Sequence, residues 1–314
     1  MESGTKAARL ELVEEPVGEL LLRRQWVNYK DVLLKLCLSL ATSLTVLTTC
    51  TIVLLIGKEA FAFFHMVSIV DFLLGTQWQP LIEPQQYGVL PLVVGSTLVV
   101  VLSMGIALPL GVFVAAYLSE YASFPIRSVV KPFLEILAGI PTVVYGYFAL
   151  TFVTPQLQQL FPAMEVFNAA SAGIVVGIMI LPMVSSLCDD AFCAVAPELK
   201  EAGYSLGATS YEVFRGIVLP ASAFRLAAAV ILAVSRALGE TMAVTLAAGA
   251  TPNMEWSFLK SIQTMTAYIV EVSLGDTPAG GVAYLTCYGV AALLFGITFV
   301  LNVLGYRWMR RTAE

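Results

Sequence analysis

Arg236 and Glu240 stand four residues apart inside the long apolar stretch 223–248. About thirteen residues into a helical span, at about 1.5 Å of rise per residue, Arg236 is expected near the middle of a bilayer. A guanidinium there costs at least about 2.5 to 3.5 kcal/mol on insertion scales, so it must face protein or water. Glu240 follows one helical turn later and can reach it. Two readings are open. In the first, the pair neutralises itself and fixes the packing of its helix. In the second, which the chemistry favours, Arg236 offers planar donors to a passing oxyanion while Glu240 holds the guanidinium and keeps the anion from being trapped. Arg before Glu is the less favourable order for an isolated helix, so local helix support is a weak reason for the pair to exist.

A second segment, 197–220, carries charge between two apolar stretches. Leu199, Ala202, Gly203 and Leu206 fall at helical spacing on one face, with Glu198, Lys200 and Glu201 facing elsewhere. Pro197 suits the first helical position and Gly207 a left-handed stop. Thr209 and Glu212 stand at capping-box spacing and launch a second short helix that carries Val213 and Ile217 into Pro220. The expectation is helix, glycine turn, helix, ending where the next apolar stretch starts. An ordered amphipathic element at that point is a surface offered to a partner.

These groups must be positioned by a membrane bundle. Hydrophobic residues make up 58% of the 314-residue chain and charged residues 12%, a balance foreign to soluble domains of this length. Six stretches are long enough for hydrocarbon of about 30 Å: roughly 32–56, 90–119, 133–153, 170–188, 223–248 and 283–306. Each run is continuous rather than alternating, so the spans are helices. Lys and Arg collect in the N-terminal tail, at Arg127 and Lys131, at Lys200, Arg215 and Arg225, and at the C-terminus, while the alternate loops hold Lys58 and Lys260. That asymmetry places both termini and the 197–220 segment in the cytoplasm. The organisation expected is a cytoplasmic tail over 1–31, a first span with an outer interfacial segment over 32–89, and a core over 90–311. The tail shows no small-residue cleavage site ahead of a long first span, which argues against a removable signal.

Within the spans, Pro109, Pro141 and Pro182 free backbone carbonyls that only a neighbouring helix or an aqueous pathway can accommodate. Gly239, Ala243 and Ala247, and Ala227 with Ile231, permit close helix approach. Outside them, 59–74 reads as one aromatic-rich helix ending at Gly75, with Phe61, Phe64 and Trp78 suited to a membrane interface. Trp78 to Pro80 and Tyr87 with Gly88 read as turns, and 249–282 is long enough for a short helix or hairpin.

The spacing of Glu201, Ala202, Gly203, Gly207, Ile217, Leu219 and Pro220 resembles the EAA loop of ABC importer permeases, with Gly203 in place of the usual alanine. The run Ser235, Arg236, Ala237, Leu238, Gly239, Glu240, Thr241 is similar to the R-A-L-G-E-T segment of phosphate-specific ABC permeases. Tyr87 to Pro91 ahead of Gly95 to Leu98, and Ala138 to Gly146, resemble the C-type subunit of that system, the PstC family, more than its A-type partner. The likeness runs from about residue 30 to 311. It implies an all-α, six-helix type I (MetI-like) importer permease whose 197–220 helices dock, through Gly203 and its neighbours, into a groove of a cytoplasmic ATPase. Arg236 and Glu240 are then the residues that matter for transport. The implied partners are two ATPase copies, a homologous A-type permease and an extracytoplasmic phosphate-binding protein that is periplasmic or lipid-anchored.

Other classes fit less well. No phosphate-cradling G-x-x-x-x-G-K-[ST] occurs, so ATP and Mg would be bound by the partner ATPase and no cofactor by this chain. The five cysteines form no C-x-x-C and His65 is a lone histidine, so neither a disulfide framework nor a metal site is expected. A membrane enzyme would need a nucleophile, base or metal cluster that the sequence does not offer. An ion-coupled secondary transporter would need midplane coupling carboxylates, of which Glu240 alone qualifies. A buried arginine by itself does not separate phosphate from sulfate or molybdate. The net charge of −5 gives no footprint for nucleic acid.

Overall fold

The computed structural model describes residues 17–275, 278 and 280–312, with side chains from 29 to 307 among them. Of the expected tail over 1–31, residues 1–16 lie outside the described residues, and 17–31 form the start of the first helix. The chain divides into two units, Met1–Ile56 and Gly57–Glu314. Helix α1 (Val17–Met66) makes up the described part of the first unit and the beginning of the second. Within the first unit its side chains from Val32 to Ile56 are dominated by Leu, Val, Ile and Ala, with small hydroxyl residues between them. The hydroxyls of Thr42, Thr45, Thr48 and Thr51 donate to carbonyls four residues back at 2.8 to 3.0 Å, so these four are satisfied within the helix. That is what a hydrocarbon surrounding demands.

In the second unit α1 ends at Met66, and α2 (Ile69–Leu74) follows, so the single helix expected over 59–74 is broken at Val67 and Ser68. Strand β1 (Trp78–Gln79) pairs antiparallel with β2 (Gln86–Tyr87), Trp78 opposite Tyr87. Trp78 is therefore a strand residue, not a turn. It is 3% exposed, packed in an aromatic cluster. Its ring meets Phe72 at 6.2 Å and Tyr268 at 4.8 Å, edge to face, the arrangement aromatic quadrupoles favour. The backbones of Gly75 and Gly88 cross so closely that a Cβ on Gly88 would stand 2.2 Å from the Gly75 carbonyl carbon.

Helix α3 (Leu90–Ala116) runs into a wide π-helical turn over Tyr117–Tyr121. Helix α4 (Phe124–Gly139) is followed by α5 (Thr142–Phe148), a second wide turn over Ala149–Val153, and α6 (Thr154–Leu160). Helix α7 (Ala169–Cys193) starts at Asn168, whose side chain accepts the Ser171 N–H at 2.7 Å. Then come α8 (Pro197–Ser205), α9 (Ser210–Val213), a third wide turn over Phe214–Val218, α10 (Leu219–Leu238), α11 (Met242–Ala247), α12 (Met265–Leu274) and α13 (Val282–Thr312). Among the described residues five helices are long and apolar enough to cross a membrane, and the pair Phe124–Gly139 with Thr142–Leu160, bent by 88°, has the length and apolarity of a sixth if its two parts count as one span.

Two spans are interrupted, one at a proline that the sequence marked as a breaker and one where it marked none. The third is bent because Pro141 cannot donate an N–H and pushes the preceding residue out of the helical region; Ile140 is extended at φ −69°, ψ 130°. The fifth ends at Leu238, and Gly239, Glu240 and Thr241 separate it from α11. Pro109 and Pro182, in contrast, are carried inside α3 and α7. Those two helices form the centre of the bundle, and small residues let them meet: a Cβ on Gly173 would stand 2.8 Å from Leu102 Cβ, and one on Gly177 3.0 Å from the Ser103 carbonyl oxygen. Ala243 and Ala247 of α11 are buried against this core, and Gly305 of α13 approaches Ile231 of α10. The 249–282 connection holds α12, a short helix of the kind its length allowed.

Candidate functional site

The break in the fifth span is built by the residues that carry its charge. Arg236 lies in the last turn of α10, where the unpaired carbonyls of a helix end favour a cation. Glu240 lies beyond the helix, so the sequence-based argument from residue order within one helix does not apply. One carboxylate oxygen, Oε2, accepts from the Arg236 guanidinium at 3.0 Å. The other, Oε1, accepts the Ala243 N–H at 3.3 Å and so satisfies a donor at the start of α11. The Thr266 hydroxyl, at the start of α12, donates to the Glu240 carbonyl at 2.7 Å. Three helices therefore meet on one residue.

The burial of the pair is unequal. The Glu240 side chain is 2% exposed, while that of Arg236 is 44% exposed. Among the described residues Glu240 is the only hydrogen-bond partner of Arg236. A guanidinium has five N–H donors, so one anchored by a single bond keeps most of them for another acceptor. The carboxylate is locked and the cation opens outward, an arrangement able to present charge without letting it wander.

The 197–220 segment has the expected local structure. Pro197 stands in the first turn of α8. Gly207 takes φ +82°, a left-handed value that costs a residue with a Cβ about 1 to 2 kcal/mol, and its N–H reaches the Tyr204 carbonyl at 2.9 Å. Thr209 and Glu212 complete the capping box: the Glu212 N–H donates to Thr209 Oγ1 at 3.4 Å and the Thr209 N–H to Glu212 Oε2 at 2.8 Å. The second helix does not stop before the fifth span. It flows through the wide turn into α10, making one run, Ser210–Leu238, so Ile217, Leu219 and Pro220 belong to the span itself. Pro220 has no N–H, and the bonding frame shifts just ahead of it, where the Leu219 N–H reaches back to the Phe214 carbonyl.

Of the stripe Leu199, Ala202, Gly203, Leu206, only Gly203 is buried. A Cβ there would stand 2.7 Å from Ile217 Cδ1 and 3.0 Å from Val213 Cγ2. Gly203 thus lets α8 lie against the start of the fifth span, a packing role within the chain. Glu201, Ala202, Leu199 (50%) and Leu206 (89%) are exposed.

Sequence reasoning used Arg127 and Lys131 only to count charge, set Lys200 on a face away from Gly203, and missed the partners of all three. Asp189, 2% exposed near the end of α7, accepts from Arg127 at 3.0 Å and from Lys131 at 2.6 Å, fastening α4 to α7. Glu120, 7% exposed in the wide turn after α3, accepts from Lys200 of α8 at 2.5 Å. An acid directly after each of the apolar stretches 90–119 and 170–188 was the available signal, since a buried charge requires a partner.

Helices of this length and apolarity, one bent and one broken around a buried carboxylate, make this a multi-pass membrane protein with the fold of a MetI-like importer permease. Residues 107–313 match the family of binding-protein-dependent transport system inner membrane components, and the chain belongs to it. It is 32% identical over 270 residues to the probable ABC transporter permease protein YqgH of Bacillus subtilis, spanning 82% of this chain and 87% of that protein. It is 33% identical over 265 residues to the phosphate transport system permease protein PstC of Mesorhizobium japonicum, spanning 78% and 80%. With PstC of Haemophilus influenzae the figures are 32% over 253 residues, spanning 74% and 79%. Among solved structures, a bacterial ABC transporter involved in the import of alginate aligns over 93% of this chain and 100% of its own, with a TM-score of 0.64 at 16% identity. The inward-facing MetNI methionine transporter aligns over 74% and 99%, with a TM-score of 0.54 at 16% identity. At such identities these two establish the fold alone.

Proposed function

We propose that this chain is the channel-forming, C-type permease subunit of an ATP-driven importer of inorganic phosphate. The observation that carries this reading is the half-open Arg236 held by a buried Glu240 at a helix break, in a chain about a third identical to PstC permeases over most of its length. A tetrahedral oxyanion matches the free donors of an anchored guanidinium. Glu240 lowers the net charge of the station, so an anion pauses there without being retained.

On this reading an extracytoplasmic binding protein delivers phosphate, a homologous A-type permease completes the pathway, and a separate ATPase pair, holding ATP and Mg, supplies the work. The exposed Leu199, Ala202 and Leu206 contact the ATPase, and Gly203 and Ile217 pass its movement to the fifth span. Closure of the ATPase pair then rocks the bundle between inward-open and outward-open states. Both termini lie in the cytoplasm. Labelled phosphate uptake by the reconstituted complex, with sulfate and molybdate as competitors, tests the substrate. Competition by unlabelled phosphate alone supports the reading; equal competition by sulfate or molybdate replaces it with a permease for another oxyanion.

A further inference from the structure

Helix α8 has two sides. Leu199, Ala202 and Leu206 are exposed, whereas Lys200 and Gly203, three residues apart and so on one face, turn toward the chain. Gly203 rests on Val213 and Ile217, at the start of the fifth span. Lys200 Nζ reaches Glu120 Oε1 at 2.5 Å across 80 residues of sequence, with the two side chains 19% and 7% exposed. Glu120 belongs to the wide turn that closes α3, where the Ala122 N–H bonds back to the Tyr117 carbonyl at 2.8 Å.

Two short links hold the ends of α8, through Ala194, Val195 and Ala196 to α7 and through the Gly207 turn to α9, and two contacts hold its inner face, the glycine seat on the fifth span and the ion pair to α3. Helices α3 and α7 approach too closely at Gly111, Gly173 and Gly177 to slide freely past one another. A push on α8 without the ion pair could be absorbed by rotation about its two short links. With the pair in place, the same push bears on the α3 and α7 core at a second point.

We propose that the Lys200–Glu120 ion pair is a strut through which α8 drives the α3 and α7 core, making Lys200 and Glu120 positioning residues for transport. This rests on the reading of 197–220 as the ATPase-coupling segment. An ion pair at an exposed surface would contribute little; the burial of Glu120 sets this one apart.

The test is phosphate moved per ATP hydrolysed by the complete reconstituted complex. Lys200→Gln and Glu120→Gln should each lower that ratio by about five-fold or more, the low end of ordinary coupling between sites. Lys200→Arg, which keeps the charge-assisted bond, should stay within about two-fold of wild type. The exchange Glu120→Lys with Lys200→Glu should recover most of the loss. A wild-type ratio in Lys200→Gln overturns the strut, and so does an exchange variant that assembles but is as uncoupled as the single variants. Failure of Lys200→Gln to assemble also overturns it, since the pair would then hold the fold rather than transmit motion. If the exchange variant does not assemble, the contrast between Lys200→Arg and Lys200→Gln decides. A wild-type complex that moves no phosphate on ATP sinks the underlying reading instead, so the two failures are distinguishable.

Discussion

Replacing Gly203 with alanine should weaken the seat of α8 by about 1 kcal/mol, the low end of the usual 1 to 3 kcal/mol for overpacking. The magnitude follows from what the new methyl meets. At 2.7 Å the obstacle is Ile217 Cδ1, the far end of a side chain that can turn aside; at 3.0 Å it is Val213 Cγ2, on a stiff β-branched residue. Leucine at the same position would overlap both and should cost about 3 kcal/mol. Ile217→Val deletes the Cδ1 atom in the way, at a cost of its own of about 0.5 to 1.5 kcal/mol. The double variant Gly203→Ala, Ile217→Val should then be more stable than the sum of the single effects by about 0.5 kcal/mol or more. Thermal unfolding of the purified complex reads the stability, and phosphate moved per ATP reads the hinge; both should fall in Gly203→Ala, and the double variant should fall by less than the two single losses together. Additive effects within about 0.3 kcal/mol, or a Gly203→Leu complex as stable and coupled as wild type, would refute the packing role.

Other changes probe separate parts of the molecule. Arg236→Gln should abolish most phosphate uptake and also cost up to about 3 kcal/mol, because Glu240 is left buried and unpaired. Adding Glu240→Gln should return thermal stability without returning uptake, and equal stability of the single and double variants would contradict the burial argument. Gly207→Ala forces a Cβ into φ +82° and should lower stability by about 1 to 2 kcal/mol, with Thr209→Ala losing about 1 kcal/mol from the capping box; unfolding midpoints check both. Gly88→Ala puts a methyl 2.2 Å from the Gly75 backbone, which cannot rotate away, so recovery of assembled complex after purification should drop sharply.

Much of this was legible in the residues because local rules governed it. Pro197, Gly207, Thr209 and Glu212 specify helix ends through their own backbone and side-chain chemistry, and each does in the structure what its type allows. The apolar runs likewise marked the spans, since hydrocarbon leaves a backbone few options. What hydropathy could not reveal was where a span breaks. Gly239, Glu240 and Thr241 are held out of the helix by contacts with Ala243 and Thr266, the latter 26 residues away. The burial of Gly203 against Ile217, and the meetings of Glu120 with Lys200 and of Asp189 with Arg127 and Lys131, are likewise products of tertiary packing. The stripe on α8 was read as one apolar face, yet its glycine turns inward while its leucines stay exposed. Helical spacing alone does not say which neighbour a face will meet.

Accumulation of labelled phosphate by proteoliposomes carrying the complete complex and loaded binding protein, with and without ATP, tests the central claim most directly. The account predicts accumulation that requires both ATP and Arg236. Phosphate entry through this chain without a nucleotide-hydrolysing partner, or full ATP-driven uptake in the Arg236→Gln, Glu240→Gln double variant, would contradict it.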